Sequence, residues 1–149
     1  MLLNDGHSFE AFHHEIYPEE LQLNKENDDN KSTNFLDLHI EIDNGNFTTQ
    51  LFDKRDHFGF DITRLPYKKS NIPCKMFYNS IAAECLRICR ATSASGHATS
   101  SIKVLLARMV KQGADMFKMR NCVTKTFNRH QINLKYGIHD NSFIDQLFR

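Results

Sequence analysis

The hydrophobic period changes once along this chain, and that change limits what it can fold into. From Asn34 to Asp53 apolar residues recur at every second position, and after Pro73 they recur at every third or fourth. Leu36, Leu38, Ile40 and Ile42 alternate with Asp37, His39 and Glu41, which reads as one strand over Asn34–Asp43 with a single apolar face. Asn44-Gly45 supplies the positive-φ pair that a two-residue hairpin turn needs. Phe47–Asp53 then returns with Phe47, Thr49 and Leu51 on one face. An isolated hairpin is marginal in water, so this face has to pack on helices or on a further strand. Upstream, Leu21 and Leu23 behind Pro18 suit a short edge strand within 16–23, and 24–33 holds no apolar residue and reads as a solvated loop.

Beyond the hairpin, Lys54–Pro73 is an irregular connector interrupted by Gly59, Pro66 and Pro73 and anchored by Phe58, Phe60, Ile62 and Leu65. Three helices are expected after it. The first starts near Pro73 and runs to about Ala91, burying Phe77, Ile81, Cys85 and Ile88 with Ala82, Leu86 and Cys89 beside them. The second begins at a Thr99 or Ser100 cap, buries Ile102, Leu105, Leu106 and Met109, and stops at Gly113. The third begins at an Asp115 cap and points Met116, Met119, Val123 and Phe127 inward. Gly137 ends the packed part, with Ser142–Arg149 as a last helical turn. The expected class is α+β: an N-terminal β-hairpin or small antiparallel sheet, then a three-helix bundle. The divisions are a flexible leader (1–15), a strand region (16–62), a helical region (63–137) and a C-terminal tail (138–149).

Charge divides at nearly the same place. Residues 1–62 carry fourteen acidic and four basic side chains, a net of −10, and residues 63–149 carry fifteen basic and four acidic, a net of +11. Lys68, Lys69, Lys75, Arg87, Arg90, Lys103, Arg108, Lys111, Lys118, Arg120, Lys125 and Arg129 lie on or just before the three helices, with Tyr67 and Tyr78 nearby. Two readings fit this count equally: a surface facing a polyanion, and a helical face that touches only water.

Familiar catalytic arrangements are lacking. A polymerase needs paired carboxylates holding two divalent ions about 4 Å apart. Asp28-Asp29 is the only adjacent aspartate pair, and its polar flanks do not suit a buried hairpin. Asp53, Asp56, His57 and Asp61 could hold a hard cation, but Lys54 and Arg55 beside them favour local ion pairs. No Gly-rich phosphate loop or nucleophile elbow occurs. His13-His14 point apart on either a helix or a strand, and His39 and His130 read as surface histidines. Cys85 and Cys89 share a helix face without a Cys-x2-Cys knuckle, so with Cys74 and Cys122 they read as reduced thiols, the first two packed in the core. The N-terminus has no basic and apolar signal and no apolar run spans a bilayer, so an intracellular protein with no membrane partner and no cofactor is expected.

Four marks in order carry a family likeness: Phe35-Leu36-Asp37, Asp53-Lys54-Arg55-Asp56 with Phe58-Gly59-Phe60, Ser70-Asn71-Ile72-Pro73, and Arg87-Ile88-Cys89-Arg90. Together they resemble the region after the catalytic palm motif in reverse transcriptase-like proteins of invertebrate retroelements, Penelope-like or related, over approximately Ile16–Tyr136. The resemblance implies that the strands are the end of a palm and the helices a thumb, which grips a template–primer duplex by its backbone. The chain departs from the family in lacking fingers, most of the palm and the catalytic aspartates. His57 stands where an acidic residue is expected, and Tyr136-Gly137-Ile138 is a chance match to a nuclease motif.

The expected function is therefore non-catalytic, sequence-independent binding of DNA or an RNA–DNA duplex through phosphates. The expected contacts are Lys68, Lys69, Lys75, Arg87, Arg90, Lys111, Lys118, Lys125 and Arg129. Three alternatives stand beside it: an interaction module whose acidic half covers basic helices, a subunit completing a separate palm fragment, and a degenerate fragment without function.

Overall fold

The computed structural model describes residues 12, 15–18, 20–21, 31–60 and 62–149, without the side chains of Asp43, Asp56 and His57. Asn44 and Gly45 have φ of 49° and 79°, the double positive-φ turn expected from their sequence. They join β2 (Leu38–Asp43) to β3 (Asn46–Leu51), which pair antiparallel from Asp43↔Asn46 to Leu38↔Leu51. The stretch expected as one strand from Asn34 instead turns at Leu36-Asp37, and Ser32–Phe35 forms a separate strand, β1, pairing Phe35↔Leu38. Leu36 therefore leaves the apolar face, sits at φ 54° in the turn and is 75% exposed. A two-residue turn puts Phe35, not Leu36, on the face of Leu38, which a strict alternation cannot reveal. The result is a three-stranded antiparallel sheet in the order β1-β2-β3, and Ser32 and Thr33 of the expected loop belong to it.

Glu15 and Ile16 are helical, and residues 16–18 and 20–21 of the expected 16–23 strand form no strand; nearly all of the leader, residues 19, 22 and 23, and Asn24–Asn30 lie outside the described residues. After β3, a 3₁₀ turn (Lys54–His57) is capped by the Asp53 carboxylate, which accepts from the Arg55 backbone N–H at 3.1 Å.

Helix α1 (Cys74–Ala91) begins directly after Pro73 and buries all eight residues from its double stripe, Tyr78 among them with the seven expected. Its neighbours are α2 (Ser95–Lys111) and α3 (Met116–Arg129). α2 starts one turn earlier than its expected cap, because burial of Ala98 draws 95–98 into the helix. Thr99 then bonds back to the Ser95 carbonyl at 2.8 Å instead of capping. It ends as expected at Gly113 (φ 90°): the Gly113 N–H reaches Val110 O and the Ala114 N–H reaches Met109 O, both at 2.9 Å. Asp115 caps α3, accepting from the Lys118 N–H at 2.8 Å. Met119, Val123 and Phe127 are buried as expected, but Met116, in the first turn, faces solvent.

Helices α1 and α3 run parallel, with α2 returning between them in the chain. The Asp115 N–H donates to the Tyr78 hydroxyl at 3.0 Å near one end, Cys122 meets Asn79 at 3.5 Å, and Arg90 meets His130 at 3.4 Å near the other. The expected tail is not a tail. After a short helix α4 (Ile132–Lys135), helix α5 (Ser142–Leu147) buries Phe143, Ile144 and Leu147. The Phe143 ring stacks on Phe127 at 5.9 Å and tilts against Tyr136 at 5.2 Å. Lys135 and the Tyr136 hydroxyl close the C-terminus of α1: both donate to the Cys89 carbonyl, and both reach the Thr92 carbonyl at 2.9 and 3.1 Å. Those carbonyls have no partner inside their own helix, and a cation there also opposes the negative end of the helix dipole.

The sheet joins the bundle through its β3 edge. Ser93 N–H donates to Thr49 O at 2.8 Å, and Thr49 N–H donates to Ser93 Oγ at 3.0 Å. The whole is α+β, a three-stranded antiparallel sheet followed by helices. Among the described residues no helix is long and apolar enough to cross a membrane.

Candidate nucleic-acid interface

The parallel course of α1 and α3 decides where the expected cations go. On α3, Lys118, Lys125 and Arg129 are spaced seven and four apart, so they fall within about 40° of one line along the helix. All three are exposed. Arg90, also exposed, is brought to the far end of that line by its contact with His130, the residue after α3. At the near end, Lys75 stands one turn before Tyr78, whose hydroxyl holds the Asp115 N–H. Lys68 is placed there too, its N–H bonded to Gln112 O at 3.3 Å and its side chain lying against Gly113. Lys69 follows it, and Lys111 ends α2 at the same corner. Of the nine expected residues, the order of the helices thus places Lys68, Lys69, Lys75, Lys111 and Lys118 toward one end of the bundle (the end cluster), with Lys125, Arg129 and Arg90 further along α3.

The ninth does not join them. Arg87 turns to the opposite side of α1, toward the sheet, where it pairs with Glu84 at 2.9 Å and with Asp37 of the β1–β2 turn at 3.0 Å. The bonded Glu84 carboxylate holds the Arg87 guanidinium even more firmly protonated than usual. Glu84 also takes Arg64 at 3.1 Å. Arg87 is therefore a clamp between helix and sheet, and the sequence concealed this because its acidic partner Asp37 lies fifty residues away. Two further cations, Lys103 and Arg120, also diverge: Lys103 is exposed on α2, and Arg120 pairs with Asp145 of α5 at 2.5 Å.

Among the described residues of 63–149, few acids oppose the end cluster and the line. Of the four in 63–149, Glu84 faces the sheet side, Asp145 holds Arg120, Asp140 accepts from the Ser142 N–H at 2.9 Å, and Asp115 caps α3. Of these four, Asp115 stands beside the cluster, and its carboxylate is turned to the α3 backbone.

Several of the other chemistry-bearing groups among the described residues are occupied or packed away. Asp53 forms an ion pair with Arg55, whose side chain bonds both carboxylate oxygens, one at 2.7 Å, and holds the carboxyl below its usual range. Asp28, Asp29 and Asp61, like the side chains of Asp56 and His57, lie outside the described residues. Among the described residues no three His, Cys, Asp or Glu side chains converge as metal ligands. Cys85 and Cys89 are fully buried; burial pushes the Cys85 thiol well up and the Cys89 thiol up to about 12, so both remain protonated and serve as packing. His39 lies on the polar face of β2, bonded to Asn34 at 2.6 Å and Glu41 at 3.1 Å. His13 and His14 are outside the described residues.

What the sequence reading passed over is the connector. Phe58 and Phe60 count there as apolar anchors, yet both rings face solvent, 53% and 67% exposed. The signal that could have found them is an aromatic pair two residues apart around Gly59, in a segment with no helical or strand period. No family model matches the chain, and no curated protein or solved structure is significantly similar to it.

Proposed function

We propose that this chain is a non-catalytic nucleic-acid-binding fragment, derived from the C-terminal palm and thumb of a retroelement reverse transcriptase, that grips a duplex through its phosphates. The observation that carries the reading is the alignment of Lys118, Lys125 and Arg129 on one line of α3, continued by Arg90 and by the end cluster. Cations spaced along a helix match a charged backbone, and such contacts orient a duplex without reading its bases. A sheet passing into a helical bundle is also the order that the palm-to-thumb resemblance implies.

The test is the salt dependence of binding. Affinity for a blunt duplex falls as salt rises, with a log–log slope of about −0.9 per phosphate contacted, and differs little between sequences. The double change Lys125→Glu with Arg129→Glu abolishes most of this binding, while Lys31→Glu on the sheet leaves it unchanged. A protein that folds cooperatively yet retains no duplex at low salt removes the reading.

One observation favours a second reading, an interaction module. The Asp37–Arg87 pair already brings an acidic residue of the first half onto a helical cation. Salt-sensitive dimerisation without affinity for duplex is the outcome that selects it.

A further inference from the structure

The sheet has a larger apolar face than the bundle covers. Its register puts Phe35, Leu38, Ile40, Ile42, Phe47 and Leu51 on one side. Leu51 packs on the helical core, and Leu38 and Ile40 are half-buried. Phe35, Ile42 and Phe47 are left 63%, 41% and 70% exposed. Upstream, Phe12, Ile16 and Leu21 are exposed as well, so they are not the cover that this face lacks. A small sheet with one apolar side open to water gains little from its own strands, and an apolar patch of several hundred Å² marks a contact surface.

The chemistry of the face limits what can cover it. None of these six residues is charged, and the described charged side chains of β2, His39 and Glu41, lie on the opposite side. A charged peptide would find no counter-charge on this face. An anionic bilayer would meet a first half of net −10. What fits is a second flat apolar sheet, which a second copy of the chain supplies by two-fold symmetry. Packed sheets lie about 10 Å apart, so the outward Glu41 side chains of two copies would stand roughly 20 Å from each other, beyond the Debye length of about 8 Å at physiological salt. Repulsion between the acidic halves is therefore weak in this arrangement. At about 200 Å² for a whole Phe side chain, the open parts of the face amount to roughly 400 Å² per copy. With the surrounding rim this reaches about 1,000 Å² over two copies, the lower limit for a specific contact and the size of a weak, reversible one.

We propose that two copies of this chain pack sheet against sheet through Phe35, Ile42 and Phe47, forming a weak two-fold dimer. The inference rests on neither the duplex reading nor the acidic-on-basic one, since no cation takes part in it.

Sedimentation equilibrium of the full chain over a concentration series tests this. The mass rises from 17.4 kDa toward twice that value. Half of the chains are paired on the order of 100 µM, weaker than the micromolar affinity at which interfaces of about 1,600 Å² begin. At the few micromolar of a chemical or thermal melt the chain is a monomer, and its sheet face is open to water. Raising sodium chloride to about 0.5 M leaves pairing intact, and sulfate strengthens it, because apolar burial drives it. Phe35→Thr with Phe47→Thr removes both rings, keeps residues suited to strands and stays monomeric throughout. Its circular dichroism and melt match the parent's. Phe117→Thr removes a ring that is 72% exposed on α3 and leaves pairing unchanged. A chain that is monomeric at every concentration overturns the proposal. So does a dimer that dissolves in sodium chloride, one that survives the double variant, or one that Phe117→Thr weakens as much.

Discussion

The bundle and the sheet bury their apolar residues to very different degrees. Every fully buried hydrophobic side chain among the described residues lies between Phe77 and Leu147. In the sheet, Phe35, Ile42 and Phe47 share one face and all are exposed, Phe47 at 70%. Turn chemistry and alternation are therefore enough to set the register of these strands, but they do not supply a core. Among the described residues the sheet is held by the bonds of Thr49 with the Ser93 N–H and hydroxyl, by the Asp37–Arg87 ion pair, and by Leu51 against the helical core. Its stability depends on the bundle, and the bundle's does not depend equally on it.

The strongest way to break that comparison is to remove one aromatic ring from each region. Phe143→Ala deletes a fully buried ring that stacks on Phe127, and urea melts followed by circular dichroism will show a loss of about 3–5 kcal/mol. Phe47→Ala removes a ring that water already reaches, and its cost will stay within about 0.5 kcal/mol. Similar losses from the two would mean that the exposed sheet face is covered in solution. A small loss at Phe143 would mean that α5 is not part of the core.

A smaller effect separates the regions without disturbing the core. Arg87→Gln removes the cation that joins Asp37 to α1 and leaves Glu84 paired with Arg64. The pair is largely solvent-exposed at Asp37, so the global melt will move by no more than about 1 kcal/mol. Hydrogen exchange is the sensitive readout. Amides of β2 and β3 will exchange faster while those of α1 keep their protection, because the sheet opens as its own unit. Uniform exchange rates in parent and variant would show that the clamp does not hold the sheet.

The same contrast explains how much the sequence disclosed. The Asn44-Gly45 turn, the Asp115 cap, the Gly113 stop and the stripe of α1 were all legible, since each depends on residues within a turn or two of one another. The α1 boundary followed from Pro73 alone. Leu36 was misplaced because a two-residue turn inside an apolar run looks like continued alternation. Ser142–Arg149 was legible as a last helical turn but not as core, because six helical residues are too short to show a buried stripe, and only tertiary contact with Phe127 and Tyr136 reveals Phe143 as core. The candidate interface divides in the same way. The spacing of Lys118, Lys125 and Arg129 along one helix was open to inspection. The removal of Arg87 by Asp37 was not, and neither was the exposure of Phe58 and Phe60.

The smallest expected effect lies at the joint between the two regions. Asp53 leaves β3, caps the 3₁₀ turn and holds the Arg55 side chain, and that hydrogen-bonded guanidinium keeps its carboxyl below the ordinary 3.8. A carboxyl depressed in the folded state contributes stability above its unfolded pKa and loses it as the pH falls through the folded value. Asp53→Asn retains an acceptor for the Arg55 N–H but not the charge. Its melting temperature will therefore sit slightly below the parent's at neutral pH, and the gap will close in acid, beginning near the ordinary carboxylate range. If the gap stays constant down to strong acid, the side chain acts through shape and hydrogen bonding, and the joint owes nothing to its ion pair.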